Sequence, residues 1–196
     1  MPDTIRDGSG KGYLAKVDEN LRLFTNSVTE PQSDEANEDG DAYNLNTGKI
    51  TLTDAVDTPV MYFKNNEDRD YIIESIAIGL GPTTGGSGGI PEVTFIRNPT
   101  TGTIIDNTTN VDINSNRNYG SNKTLTADVY KGATGNTMTD GVDHIFVYAK
   151  ADARSFITIG EVLPKGTSFG IKIKPQASNT SMTVYTAIIG FIHGED

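Results

Sequence analysis

The sequence predicts an all-β fold in which two antiparallel sheets pack face to face. Three observations lead there. From residue 42 onward, short apolar runs alternate with clusters of Gly, Asn, Asp and Thr. Those runs are rich in Ile, Val, Thr, Tyr and Phe, which fit a pleated, half-buried surface. No stretch sustains the 3.6-residue apolar period of a long amphipathic helix.

The elements follow in chain order. Lys49-Ile-Thr-Leu-Thr alternates polar with apolar, as a half-buried strand does. Val60–Phe63 is a second run, closed by the turn-rich Lys64–Asp70. Tyr71–Leu80 is long and apolar, and a glycine-rich loop follows it from Gly81 to Gly89. Val93–Ile96 and Gly102–Ile105 read as short strands. Asn107–Asn122 is a polar, Asn-rich loop, and Leu125–Tyr130 is the next strand. His144–Ala149, Phe156–Ile159 and the alternating Phe169, Ile171 and Ile173 come after it. Met182–Ile192 is the most apolar strand of all. This number and spacing suit an eight-stranded jelly-roll β-sandwich of two antiparallel sheets. An immunoglobulin-like sandwich is the other candidate, but the body is long for one, and Trp and Cys are absent.

The first residues differ. Residues 1–41 read as an extended polar N-terminal arm, and 42–196 as the β-sandwich domain. Within the arm, Glu30–Asp41 is strongly acidic and has no core-forming pattern, so alone it would be disordered or a long loop. The glycine-rich stretch at residues 8–12, Gly-Ser-Gly-Lys-Gly, invites a nucleotide-binding reading. A phosphate loop around Gly10-Lys11 needs Gly at position 5 and Ser or Thr at position 12. The chain has Ile5 and Gly12 there, with no strand before it. The stretch is read instead as a joint in a docking arm that orders against a neighbour.

The formal charge of −10 repels nucleic-acid phosphates and anionic membrane surfaces, so no nucleic acid and no membrane are expected as partners. No apolar run approaches the ~18 residues of a membrane span. There is no cysteine, which removes disulfides and thiolate metal sites. The start has no apolar signal-peptide core, so the expectation is synthesis in the cytoplasm in soluble form. Three glycosylation sequons, at Asn107, Asn122 and Asn179, match what an Asn- and Thr-rich composition produces.

Catalytic, metal and cofactor sites are expected to be none. His144 and His193 have no nucleophile at a meaningful spacing, and no Gly-x-Ser-x-Gly elbow occurs. The loop carboxylates Glu67, Asp68, Asp70, Asp140 and Asp143 read as solvated charge rather than a glycosidase pair. Glu35–Gly40 imitates half an EF-hand loop, but Glu35 stands at its first position and Asn46 at its twelfth. Looser calcium loops on Asp39 and Asp41, or on Asp140 and Asp143, stay open. For glycan contact the candidates are Tyr119, in the polar loop, and Tyr130, as stacking platforms.

Three stretches carry a resemblance. DGSGKGYLAKVDENLRLFTNSVTE, DAYNLNTGKITLT with VMYFKNNEDRDYIIE, and VLPKGTSFGIKIKPQASNTSMTVYTAIIGFI resemble structural proteins of tailed bacteriophages in texture and order. The resemblance implies a jelly roll in the virion. It implies a capsid cement or decoration subunit bridging neighbouring capsid proteins, with the major capsid protein or another virion protein as partner. A homo-oligomer is expected, with a trimer as its number. Contact is expected through the apolar C-terminal strand and the N-terminal arm. The alternative is a glycan- or receptor-binding module at a tail or capsid surface, using loops 81–91 and 107–122.

Overall fold

A computed structural model of the chain describes residues 31–53, 56–84, 90–106, 109–111, 115–175 and 181–194. The glycine-lysine stretch at 8–12, and most of the expected arm, lie outside them. The described residues from Gln32 onward belong to one compact unit.

It opens with a helix, α1 (Gln32–Asp39), in the acidic stretch read as loop. Asp34 and Glu35 stand in its first turn, where carboxylates favour the helix dipole. Gly40, at φ 76°, closes the other end. There Asp41 N–H donates to the Ala36 carbonyl at 2.7 Å and Gly40 N–H to that of Asn37 at 3.3 Å. That is the Schellman arrangement, which needs the left-handed glycine.

Ten strands follow: β1 (Ala42–Asn46), β2 (Ile50–Thr53), β3 (Thr58–Asn65), β4 (Tyr71–Thr84), β5 (Glu92–Arg97), β6 (Ala127–Lys131), β7 (Val142–Tyr148), β8 (Ala153–Leu163), β9 (Ser168–Lys174) and β10 (Ser181–Ile192). Sheet one runs β1-β10-β4-β8, with β2 also on β10, and sheet two runs β6-β3-β9-β5-β7. All pairings are antiparallel. β1 and β2 share one strand's place along β10, and β6 is an addition beyond β3. What is left is eight strand positions in two sheets, with connections that cross from sheet to sheet, as in a jelly roll. The all-β sandwich is thereby established.

Three local expectations change. Thr103–Asp106 is a single helical turn, α2, rather than a strand. Its Ile104 is buried with Tyr62, Ile96 and Met138, so the β-branched pair there serves packing. β4 continues past Leu80 through Gly81 to Thr84, where a loop was expected. The C-terminal strand, expected at an interface, is central: β10 pairs on one side with β1 and β2 and on the other with β4. Val184 and Ile188 are fully buried toward sheet two. On the other face Phe191 packs with Ala42, Ile72 and Ala36 of α1. Strands buried on both faces read as continuous apolar runs. The apolarity of β10 is therefore core apolarity.

Between the sheets lies one main core, which includes Leu52, Phe63, Tyr71, Phe95, Ile171 and Ile188. The rings of Phe63 and Tyr71 meet edge to face at 4.8 Å. The Tyr71 hydroxyl is buried with no hydrogen-bond partner among the described residues. Burying a phenol disfavours its anion. Burial, and then the negative charges of Asp41 and Glu67, push Tyr43 up to about 12. Burial pushes Tyr71 up further still.

Two measurements test this core. Tyr71→Phe keeps the ring and removes the orphaned hydroxyl, so it should leave stability unchanged or raise it by about 1 kcal/mol in urea unfolding. Between pH 10 and about 12 the folded state keeps a Tyr43 proton that the unfolded chain has lost. Stability should then be intact below pH 10 and fall through that window, with buried tyrosinate absorbance appearing only as the protein unfolds.

Candidate interaction surface

β7 is the last strand of sheet two and β8 the last of sheet one. The turn at 149–152 joins them, so both sheets are open on the same side. Along β7, Val142 is 69% exposed, Phe146 50% and Tyr148 62%. Along β8, Phe156 is 59% exposed and Val162 52%. The alternate residues Ile145, Ile157 and Ile159 point inward yet are only partly buried against the main core. An edge strand has a neighbour on one side alone, so its inward side chains stay half open. Both faces of β7 are consequently apolar and accessible. Phe146 and Tyr148 stand on the outer face of sheet two and Phe156 and Val162 on that of sheet one, so exposed apolar side chains flank the open edge on both faces, and exposed apolar patches mark interaction sites.

The surface has internal order. Phe146 and Tyr148 meet edge to face at 5.0 Å. The Arg154 guanidinium lies 4.4 Å from the Phe156 ring centre and 5.9 Å from that of Tyr185. Beside it a groove of about 400 Å³ runs past Gly79, Gly81, Thr183 and Tyr185. Gly79 is required there, because a Cβ would sit inside the Tyr185 ring.

His144 and Glu161 tie the two edges together at 2.8 Å. They line a small cleft of about 90 Å³ with Thr167 and Ser168. A hydroxyl beside a His–Glu pair would be the start of nucleophilic chemistry. Here Thr167 donates to the Pro164 carbonyl at 2.7 Å and Ser168 to that of Pro99 at 2.8 Å. The pair acts as a strut between sheets. His193 lies elsewhere, in a recess of about 470 Å³ beside α1 with Glu35, Asp39, Asp41 and Arg69.

Of the candidate calcium carboxylates, Asp41 and Asp140 have partners within the protein. The buried Asp41 carboxylate meets Arg69 and Lys123, each at 3.0 Å. Two protein cations thus stand where a calcium ion would. Asp140 accepts a hydrogen bond from Thr101 at 2.5 Å. Among the described residues no group of three or more His, Asp or Glu could hold a metal.

The two tyrosines singled out for glycan contact differ. Tyr119 is fully exposed in its loop. Tyr130 is half-buried and stacks flat on Tyr62, with centroids 5.9 Å apart and planes within 8°. One of its faces is therefore taken. Sequence reasoning missed Phe146, Tyr148, Phe156 and Val162, because an edge strand and a core strand share one composition.

No family model matches the chain, and no curated protein matches it. Among solved structures it is similar to the Yersinia pseudotuberculosis-derived mitogen, at 13% identity, over 79% of this chain and 90% of that one, with a TM-score of 0.32. A likeness that loose carries no functional argument.

Replacing the tyrosines should separate their roles in thermal unfolding. Tyr119→Ala should change stability by less than about 0.5 kcal/mol. Tyr130→Ala, which removes the stack on Tyr62, should cost about 1–2 kcal/mol.

Proposed function

We propose that the chain is a non-enzymatic structural subunit that works by docking. In the form that its resemblance to tailed-phage structural proteins implies, it is a capsid cement or decoration protein of the virion. It would bridge neighbouring capsid proteins and act as a homo-oligomer. The observation that carries the docking part is the open β7–β8 side, with five large apolar side chains at least half exposed. A cement subunit opposes separation of its neighbours by burying interface, and a specific interface takes on the order of 800 Å² per partner. The exposed apolar side chains of this side are where such burial gains most free energy per area.

A second reading, a glycan- or receptor-binding module, has the fully exposed Tyr119 in its favour. An exposed ring offers a sugar a stacking face. Loss of glycan-array binding in Tyr119→Ala would support it.

The mass of the purified chain in solution, by light scattering, tests the first reading. An oligomer is the expected result. The double variant Phe146→Asp/Phe156→Asp alters two exposed positions, so it should fold with an unchanged circular dichroism spectrum. It should weaken self-association by about 2–4 kcal/mol, on the scale of interface anchors. A wild-type monomer, or a double variant of unchanged mass, would remove the strip as the contact surface and send the glycan reading forward.

A further inference from the structure

An uncovered strand edge presents unpaired N–H and C=O groups that accept another strand unless something intervenes. At β1, β6 and β2 something does. The outer edge of β1 is taken by the 115–117 segment: Asn44 N–H donates to the Ser115 carbonyl, and Arg117 N–H to that of Ala42, both at 2.9 Å. The outer edge of β6 is taken by 109–111, where Lys131 N–H donates to the Thr109 carbonyl at 2.8 Å and Val111 N–H to that of Val129 at 3.1 Å. On β2, the Thr134 hydroxyl meets both Thr53 N–H, at 3.1 Å, and the Thr51 carbonyl, at 3.3 Å. Among the described residues no backbone hydrogen bond reaches the outer edge of β7.

Of the features that deter pairing, β7 carries one, a bulge, and lacks others. Between Val142 and Ala149 there is no proline and no lysine, and Asp143 is the one carboxylate. A bulge falls between Asp143 and Ile145, leaving Ile145–Tyr148 regular. Among the described residues the strand is thus apolar and uncovered, as the outer edge of β8 is, in a chain that covers the edges of β1, β2 and β6.

The residues also indicate the partner. Side chains opposite one another in an antiparallel pair share a face, and faces alternate along a strand. If Phe146 lies opposite Phe146 of a second copy, Ile145 lies opposite Val147 twice, and Tyr148 falls across from the bulge at His144. The half-open inner residues then close on each other and extend the core. The outer residues form an aromatic row. No like charges oppose. Electrostatics favour the same surface. The chain carries −10 overall, whereas residues 142–163 hold three carboxylates against two cations. Most faces of a second copy would repel this one; this side is nearly neutral.

The geometry points to a two-fold dimer in which β7 pairs antiparallel with β7 of a second copy, Phe146 opposite Phe146. It joins two five-stranded sheets into one continuous sheet. It rests on the reading of the chain as an assembly subunit and makes the dimer, in place of the expected trimer, the unit that assembles.

The absence of cysteine makes the test clean, because one introduced thiol is the sole thiol. In full-length Phe146→Cys the two Cα atoms would stand about 4.5–5.5 Å apart, within disulfide reach. Copper-phenanthroline oxidation should convert it mainly to a covalent dimer on a non-reducing gel. In Tyr148→Cys the two thiols would be offset by roughly 13 Å along the strand, so crosslinking should fall about tenfold or more. Phe156→Cys, on the outer face of sheet one, should crosslink as little. Preferential capture at 146 with a dimeric wild-type mass supports the pairing. A wild-type oligomer captured at 148 or 156 but not at 146 overturns the β7 pairing and leaves the assembly reading standing. A wild-type monomer with no capture at any position overturns both.

Discussion

Two open sheets laid face to face leave four outer edges, and the treatment of those edges orders the rest of this structure. On one side the long insertion between β5 and β7 does the work. It supplies β6 and the 109–111 and 115–117 segments, which together close the margins of both sheets. Its asparagines have a structural task. The Asn116 amide donates to the Gly40 carbonyl at 2.7 Å, and that of Asn118 to the Glu38 carbonyl at 2.8 Å. Carbonyls at the C-terminal end of a helix lack intrahelical partners. The Asn-rich loop thus satisfies the end of α1 while it covers β1. Arg117 adds an ion pair with Glu74 at 3.2 Å. On the other side no insertion exists, and β7 and β8 stay open.

The same constraint distributes apolarity. β4 and β10 are interior strands with neighbours on both sides, and α1 covers the end of their outer face through Ala36. Their long apolar runs are consumed by the fold. β7 has an equally apolar run, His-Ile-Phe-Val-Tyr, but one neighbouring strand. Position in the sheet, not composition, separates a core strand from an exposed edge strand. This is why the C-terminal strand drew attention as an interface and proved to be the centre of sheet one.

Much of the fold was legible in the residues. The alternation of Lys49–Thr53 and the apolar runs of β3, β5 and β10 locate strands, because a two-residue period with β-branched side chains has few other uses. α1 was hidden by its acidity, since the sequence there offers a single buried residue, Ala36. Its signals were present in the acidic first turn and in Gly40 just past the last turn. α2 was hidden because Ile104 and Ile105 have strand propensity, and the cluster around Tyr62 overrides it. The site was the least legible part. Tyr119 could be recognised as an exposed loop ring, because its neighbours are polar. Phe146 and Phe156 could not, since strand order is set by contacts far apart in sequence.

Register completes the argument for β7. A slip of one residue would place every side chain on the wrong face. A slip of two in one direction puts Asp143 opposite Val147 and sets a carboxylate against an apolar partner. A slip of two in the other puts Lys150 opposite His144 and breaks the Ile145–Val147 pairs. The register with Phe146 on the two-fold is the one that sets the half-open Ile145 and Val147 opposite each other on both sides. The acidic remainder of the surface acts in the same direction, because it penalises contacts that stray from the neutral strip. Attraction along one strand and repulsion across the rest together select a single contact, which is what a subunit needs if it is to assemble without aggregating.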